Sequence, residues 1–258
     1  MIDYHCHILP FLDDGSASLT ESLKMAKKLV SAGFREVYCT PHCMKGVYDT
    51  TPQAVHDGVR ELQQAVDGAG IALKLHPGME YYLDEYFPAH LEDPVPLGKT
   101  GMLLVEAPSQ VNPEMVRENL FLAVRKGFTP LFAHPERYDF LAPSEGGEGF
   151  FCKVKRYFSG NDGRDASNGT SVLRAQQSTL QALKELGCLF QGNLGSFTGQ
   201  YGSEVKRRAE ILEARGHYHC FGTDAHNSRF LQERLGIDIP IKNEYSSGKK
   251  QNFKVVRG

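Results

Sequence analysis

Short apolar runs alternate with amphipathic helical segments along most of this chain, and this alternation constrains its fold more than any other feature. Such an order is typical of a mostly parallel sheet, because each helix returns the chain to the start of a neighbouring strand. Seven β/α units predict an α/β fold, a small and distorted TIM-like (β/α)7 barrel. The predicted strands are residues 2–5, 36–40, 72–75, 102–106, 129–133, 188–191 and 218–222.

Local signals give the starts of several predicted helices. Ser18 and Glu21 have the spacing of a capping box, and this helix should end near Gly33. Proline in the first turn marks two more starts, at Thr51-Pro52 and at Asn112-Pro113. Further helices are expected over 178–186 and 203–215.

Composition indicates one domain, residues 1–258. The chain has 258 residues, 41% of them hydrophobic, which suffices for the core of one α/β barrel. A formal net charge of -2 predicts no binding to nucleic acid. With no membrane-length apolar run and no signal-peptide pattern, a cytoplasmic protein without membrane insertion is expected. Residues 144–171 are interpreted as a loop insertion and 236–258 as a polar tail; the oligomeric state cannot be predicted.

Nearly every predicted strand is followed by a histidine or a carboxylate. In a parallel barrel the carboxyl ends of all strands meet on one face, where active sites are built. The residues at these positions are His5, His7, Asp14, His42, Glu80, Glu106, His134, Asp224 and His226.

A cluster of several metal ions accounts for this convergence. Carboxylates brought together repel one another, whereas divalent cations remove that repulsion and accept neutral imidazoles as ligands. Each motif alone has an ordinary interpretation, since a single H-x-H pair or a glutamate after a strand is common. The joint pattern, in phase with the strands, favours metal binding. The remaining histidines, including His56 and His76, are interpreted as structural.

The motifs themselves are similar to those of a known family. Six segments resemble the polymerase and histidinol phosphatase (PHP) family. They are Ile2-Asp-Tyr-His-Cys-His, Asp13-Asp-Gly, Thr40-Pro-His, Gly78-Met-Glu, His134-Pro-Glu-Arg-Tyr and Gly222-Thr-Asp-Ala-His. Within it, the resemblance is strongest to the bacterial tyrosine phosphatases of the capsule and exopolysaccharide (CpsB) type. It extends from Met1 to about Arg229, without the insertion.

This resemblance implies a ligand set for three divalent ions. The first ion would be held by His5, His7, Glu80 and Asp224. The second would be held by Glu80, Glu106 and His134, and the third by Asp14, His42 and His226. Manganese is the ion that the resemblance favours, with iron, zinc, cobalt and magnesium as alternatives. Arg137 would grip the phosphate, as a catalytic and substrate-binding residue, and Arg229 is a second candidate for substrate binding. The insertion and the polar tail depart from the family pattern. The resemblance therefore does not predict how substrate reaches the site or how the barrel closes.

The implied activity is hydrolysis of phosphotyrosine by a metal-bound hydroxide. The implied partner is a tyrosine-phosphorylated bacterial kinase of the polysaccharide co-polymerase type, so that the enzyme would regulate capsule or exopolysaccharide synthesis.

Two rival functions stay open at this point. One is another phosphoesterase of the same fold, of the histidinol-phosphate type, and the other is a metal-dependent amidohydrolase, whose barrel also begins with H-x-H. A cysteine phosphatase is rejected, because none of the six cysteines has an arginine six positions further on. Their irregular spacing, without C-x-x-C, indicates reduced thiols.

Overall fold

The computed structural model describes residues 1–108, 112–142, 179–234, 242–243 and 251–252. A three-stranded sheet has the order β1-β2-β4, and a six-stranded sheet has the order β3-β5-β6-β7-β8-β9. The strands are β1 (Ile2–Cys6), β2 (Glu36–Cys39), β3 (His42–Cys43), β4 (Lys74–Pro77), β5 (Glu80–Tyr82), β6 (Met102–Glu106), β7 (Thr129–Ala133), β8 (Leu189–Asn193) and β9 (Cys220–Gly222).

All strand pairs in these two sheets are parallel. β2 pairs with β4, and β3 pairs with β5. β3 therefore continues the line of β2, and β5 continues the line of β4. An isolated bridge from Cys6 to Ala225 joins β1 to the chain after β9. The seven predicted strands therefore form a curled parallel sheet whose edges meet, and the predicted barrel-like fold is confirmed.

Helices and turns connect the strands. They are α1 (Leu19–Ser31), α2 (Pro52–Gly68), α3 (Phe87–His90), α4 (Pro113–Arg125), α5 (Thr179–Glu185), α6 (Leu194–Phe197), α7 (Ser203–Ala214) and α8 (Ser228–Arg234), with 3-10 turns at Pro135–Arg137 and Asp139–Leu141. The predicted starts are confirmed where a side chain caps the first turn. The Ser18 hydroxyl accepts from the Glu21 amide at 3.2 Å, and Asn112 accepts from the Glu114 amide at 3.0 Å.

One predicted strand is displaced. Pairing was expected over 72–75 but begins at Lys74, opposite Glu36. The reason is the end of α2, where Gly70 adopts a φ of 66° and the Ile71 amide donates back to Val66. Closing the helix in this way uses residues that the apolar pattern assigns to the strand.

A bulge in β1 prepares the site. Asp3 pairs with Val37 and Cys6 with Cys39, so β1 carries one extra residue between these pairs. In a regular strand His5 and His7 would share a face but stand two residues apart along it. The irregularity at the strand end allows both rings to approach the same point.

Two groups of buried apolar side chains support the sheet. The larger group packs between sheet and helices, and includes Met25, Val37 and Phe132. The smaller includes Tyr4, Leu104 and Leu131. Glu80, Leu104 and Leu131 are register partners, so they share one face of the sheet. That face is the concave one, and the smaller group forms the floor beneath the polar residues at the strand ends.

The predicted insertion, 144–171, lies outside the described residues. So does most of the predicted tail, except for a two-residue antiparallel pair, β10 (Lys242–Asn243) with β11 (Gln251–Asn252). In the part of the chain that is described, no helix is long and apolar enough to cross a membrane.

Candidate metal centre

The predicted metal-binding side chains all come together at the carboxyl ends of the strands. Groups of three or four of their donor atoms lie within 4.8 Å of one another. These groups contain His7, Asp14, His42 and His226; His5, His134 and Asp224; His5, His7 and Glu80; and His42, Glu80 and Glu106. The structure therefore brings the nine side chains close enough together to form candidate sites for metal ions.

The first group predicted to hold one ion is the tightest. The Nε2 atoms of His5 and His7 are 3.1 Å apart, and they lie 3.1 and 3.3 Å from Oε2 of Glu80. Both also lie 3.4 Å from Oδ1 of Asp224. Ligands about 2.0–2.2 Å from a tetrahedral cation are separated from each other by roughly 3.3–3.6 Å. The spacing of these four donors is close to that expected around a single small cation.

The other two groups share residues. Nε2 of His134 lies 3.2 Å from Oε1 of Glu80 and 4.0 Å from Oε2 of Glu106. Asp14 Oδ1 lies 3.5 Å from Nε2 of both His42 and His226. The opposite nitrogen of His42, Nδ1, is 3.1 Å from both Glu80 and Glu106. The His42 ring therefore contacts both predicted groups, which the sequence pattern did not indicate.

Three histidine rings are oriented by acceptors on their outer nitrogens. Nδ1 of His5 lies 3.0 Å from Oε1 of Gln191, and Nδ1 of His7 lies 2.6 Å from Oδ2 of Asp13. Nδ1 of His226 lies 3.1 Å from the Asp224 carbonyl oxygen. In the neutral ring an acceptor at Nδ1 takes the proton of that nitrogen and leaves the lone pair on Nε2, the nitrogen that faces the cluster. This is the tautomer that metal ligation requires.

Burial and charge give the cluster unequal pKa values. Burial alone would raise the pKa of Glu80, but His5 and His42 outweigh it, and the pKa lies well below its ordinary value. Burial, with Glu80 alongside, raises the pKa of Glu106. Burial, together with Arg137, lowers the pKa of His134 to about 4. The His134 ring is therefore neutral at physiological pH, the form that binds metal.

Several buried polar atoms of the cluster have no hydrogen-bond partner among the described residues. They are Nδ1 of His42, Nδ1 of His134 and Oε2 of Glu80, of which the first and last lie 3.1 Å apart without hydrogen-bond alignment. Buried polar atoms are almost always satisfied, so three orphans in one cluster indicate a missing partner. Imidazole nitrogens and carboxylate oxygens together fit divalent transition metals.

Arg137 lies at the edge of the cluster. Its Nη2 donates to Oδ2 of Asp224 at 2.5 Å, and its guanidinium carbon lies 3.8 Å from the centre of the Tyr201 ring. Its Nε is buried and has no partner among the described residues. Arg137 thus has a charge near the cluster and part of its donor set without a protein partner, which are features of a phosphate-binding residue.

A cleft of about 840 Å³ opens over the cluster. Its walls are largely aromatic or apolar, and its floor carries the candidate ligands. The lining residues are Asp14, His42, Met44, Val47, Tyr48, Tyr82, Glu106, Ala107, Pro113, His134, Arg137, Tyr138, Asp139 and Phe140. Arg229 is exposed on α8 and is not among them.

Comparison with known proteins assigns the chain to a family. Residues 1–145, more than half of the chain, match the model of the family described as "Capsular polysaccharide synthesis, CpsB/CapC". The chain belongs to this family.

Two curated relatives are similar to this chain over most of their length. Tyrosine-protein phosphatase YwqE of Bacillus subtilis is 29% identical over 253 residues, 93% of this chain and 87% of the relative. Tyrosine-protein phosphatase CpsB of Streptococcus pneumoniae is 24% identical over 262 residues, 98% of this chain and 95% of the relative.

A solved structure agrees with this family assignment. It is described as "Crystal structures of YwqE from Bacillus subtilis and CpsB from Streptococcus pneumoniae, unique metal-dependent tyrosine phosphatases", and it superposes with a TM-score of 0.70 at 29% identity. The match covers 91% of this chain and 84% of that chain. The relative is thus similar in fold as well as in sequence.

Supporting residues that the sequence pattern did not single out complete the site of this CpsB/CapC family member. Buried Glu136 accepts from the Asn193 amide at 3.0 Å and from the Tyr218 hydroxyl at 2.9 Å. The Asn193 side chain donates to Oδ2 of Asp224 at 2.7 Å. The turn that carries Arg137 is thereby tied to the ends of β8 and to the strand leading into Asp224. The only sequence signal for Glu136 was its place in the His-Pro-Glu-Arg-Tyr motif.

The described cysteines do not provide a nucleophile. Cys6, Cys39, Cys43, Cys188 and Cys220 are all buried thiols, and Cys152 lies outside the described residues. Burial raises the pKa of Cys43 and of Cys188 to about 12, so both are protonated at neutral pH.

Proposed function

We propose that this protein is a metal-dependent protein-tyrosine phosphatase. The observation that carries the proposal is the pair of anchored histidines His5 and His7, whose Nε2 atoms face the buried carboxylates of Glu80 and Asp224 near a largely aromatic cleft that Arg137 also lines. The family and the names of the similar proteins support phosphotyrosine as substrate.

Each group of side chains has its own role in this proposal. His5, His7, Glu80 and Asp224 hold one cation; Glu80, Glu106 and His134 hold a second; Asp14, His42 and His226 hold a third. Divalent cations held there would supply Lewis acidity, which lowers the pKa of water so that hydroxide is available near neutral pH, and would neutralise charge on the phosphoryl oxygens.

Arg137 and the cleft walls bind the substrate. The Arg137 guanidinium offers planar charged donors to phosphate oxygens. Tyr48 and Tyr82 line the cleft, where an aromatic substrate ring can pack against them. Phenolate is a good leaving group, so the reaction depends less on a general acid than hydrolysis of an alkyl ester would. For Arg229 we retain a role in substrate binding, through contacts with the protein that carries the phosphotyrosine.

The finer assignments follow from the family and belong to the same proposal. Manganese is the proposed ion. The proposed partner is a tyrosine-phosphorylated kinase of the polysaccharide co-polymerase type, whose dephosphorylation regulates capsule or exopolysaccharide synthesis. A cytoplasmic location is supported by the reduced, buried cysteines.

Two rivals differ in substrate. A histidinol-phosphate phosphatase would use the same cations and Arg137, but its substrate carries an imidazole and an amine on an alkyl phosphate. An amidohydrolase would need no phosphate-binding arginine, so the position of Arg137 beside the cluster counts against it.

A substrate panel tests the proposal. We expect the metal-loaded protein to hydrolyse a phosphotyrosine peptide much faster than the matched phosphoserine peptide, histidinol phosphate or an amide substrate. The His7→Ala variant, which removes one candidate ligand, serves as the inactive control. Preference for histidinol phosphate would favour the first rival, and turnover of the amide alone would favour the second.

A further inference from the structure

The guanidinium of Arg137 lies over an aromatic ring that no motif singled out. Its central carbon is 3.8 Å from the centroid of the Tyr201 ring, close contact for a cation over a π face. Arg137 is three-quarters shielded from solvent, with 24% of its side-chain surface exposed. Tyr201 therefore covers one face of the guanidinium, while the cleft remains open to another part of it.

The loop that carries Tyr201 has a defined shape. It joins α6 to α7 and is bracketed by Gly199 and Gly202, whose φ values of 81° and 93° lie in the region that favours glycine. The Gln200 amide donates to the Gly195 carbonyl, and the Gly202 amide donates to the Gly199 carbonyl. These bonds form a tight turn, which fixes where the ring of Tyr201 can lie.

The contacts of Arg137 leave part of its donor set for a ligand. Nη2 is bonded to Asp224, yet buried Nε has no partner among the described residues. Asp224 alone would allow the guanidinium to rotate about this contact and to bring both of its donors onto the carboxylate, as arginine usually does. The ring of Tyr201 limits that rotation because it fixes the plane of the guanidinium.

We propose that Tyr201 is a positioning residue for phosphate binding: its ring holds the Arg137 guanidinium in the orientation in which it can bind a phosphate oxygen in the cleft. This inference rests on the proposed phosphatase function and assigns it a residue beyond the metal cluster. The aromatic ring, rather than the hydroxyl group, carries the role.

Substitution of the ring tests this role. We expect Tyr201→Leu to lower kcat/KM for p-nitrophenyl phosphate about tenfold and to raise Ki for inorganic phosphate by a similar factor, since a partly desolvated cation–π contact has about this strength. Tyr201→Phe should remain within about twofold of the wild type, because the ring is retained. Tyr201→Gln provides a second ring-less variant if the leucine variant folds poorly.

Three controls separate positioning from general damage. Tyr86→Leu removes an exposed tyrosine at the start of α3 and should leave both constants unchanged. Metal content should be equal in all variants, because Tyr201 is not among the candidate ligands. In an Arg137→Ala background, Tyr201→Leu should cause no further loss, since it acts through Arg137.

The outcomes distinguish this inference from the phosphatase proposal. If the wild type hydrolyses aryl phosphates and Tyr201→Leu does so equally well, the positioning role is wrong and the function stands. Equal losses in the phenylalanine and leucine variants would assign the effect to the hydroxyl and overturn the inference. If the metal-loaded wild type hydrolyses no phosphate ester, the function fails, and calorimetric titration with inorganic phosphate decides on Tyr201 independently. A wild type that binds no phosphate overturns both.

Discussion

Asp224 is the residue on which the two halves of the site meet. Its Oδ1 faces His5 and His7, whereas its Oδ2 accepts from Arg137 and Asn193. Its backbone has a φ of 49°, a left-handed conformation that is strained for most residues other than glycine. A single carboxylate thus links the candidate ligands of one cation to the candidate phosphate-binding arginine.

Replacement of Arg137 tests its role at the residue scale. Losing one charge-assisted contact in a dry site costs about 3 kcal/mol, roughly a hundredfold in rate. Arg137→Ala should therefore keep its fold and metals and lose most of its turnover, and Arg137→Lys should recover only part because an ammonium lacks the planar donors. Steady-state kinetics and elemental analysis of the same samples measure both effects.

The contact with Asp224 gives this experiment a second possible result. If metal content fell in proportion to activity in Arg137→Ala, the arginine would support the ligands instead of the substrate. Full activity in that variant would remove the phosphate-binding role altogether.

Asp13 illustrates what the sequence could and could not reveal about single residues. The rule that ligands follow parallel strands found the cluster, because it needs only the order of strands and residue types. The rule gives no information on which side chain orients a ligand. Asp13 does so, by accepting from His7 and also from the His42 amide at 2.9 Å, and Gln191 does the same for His5 from within a strand.

Asp13→Asn should weaken metal binding without unfolding the protein. An amide holds the His7 ring less firmly than a carboxylate, and loss of such a partner typically lowers metal affinity about ten- to hundredfold. Competition with a chelator of known affinity measures the change. Asp67→Asn, at an exposed position of α2, is the matched control, and equal affinities in the two variants would contradict the role of Asp13.

At the scale of elements, the long periodic segments were predictable and the short ones were not. β6 and β7 have the predicted bounds, Met102–Glu106 and Thr129–Ala133. β3 and β5, with two and three residues, are too short to produce a periodic signal. They exist because they pair with each other beyond the breaks after β2 and β4, and this pairing places His42 opposite Glu80.

A hydrogen bond between α5 and the segment before β9 predicts a pH dependence of the free energy of unfolding. Nζ of Lys184 in α5 donates to Nδ1 of His217 at 2.6 Å, just before β9. Burial, together with Lys184, lowers the pKa of His217 from 6.5 to about 4. The unfolded chain therefore takes up this proton at higher pH than the folded one does, so stability should decrease as the pH falls from 6.5 toward 4.

His217→Gln should make this decrease shallower, because glutamine accepts from Lys184 but does not titrate. Urea unfolding at pH 7.5 and pH 5, with chelator present throughout, measures the difference. His56→Gln, at an exposed position of α2, should behave as the wild type does. If all three proteins lost the same stability between the two pH values, the assignment to His217 would fail.

At the scale of the whole molecule, a ring of parallel strands directs one end of every strand to the same place. This geometry explains why the order of elements was enough to predict the fold, and why a few polar residues were enough to predict which side chains lie together in the candidate site. The arrangement within the site depends on the β1 bulge and on contacts distant in sequence, such as Gln191 with His5, which strand and helix patterns do not encode.

The central claim about this protein is that its phosphatase activity requires bound metal. The measurement is hydrolysis of a phosphotyrosine peptide by one preparation before chelation, after chelation and after addition of Mn²⁺, with metal content determined at each stage. We predict that activity falls in step with the metal removed and returns when manganese is restored. Full activity in metal-free protein, or no activity in the reloaded and folded protein, would contradict the central claim.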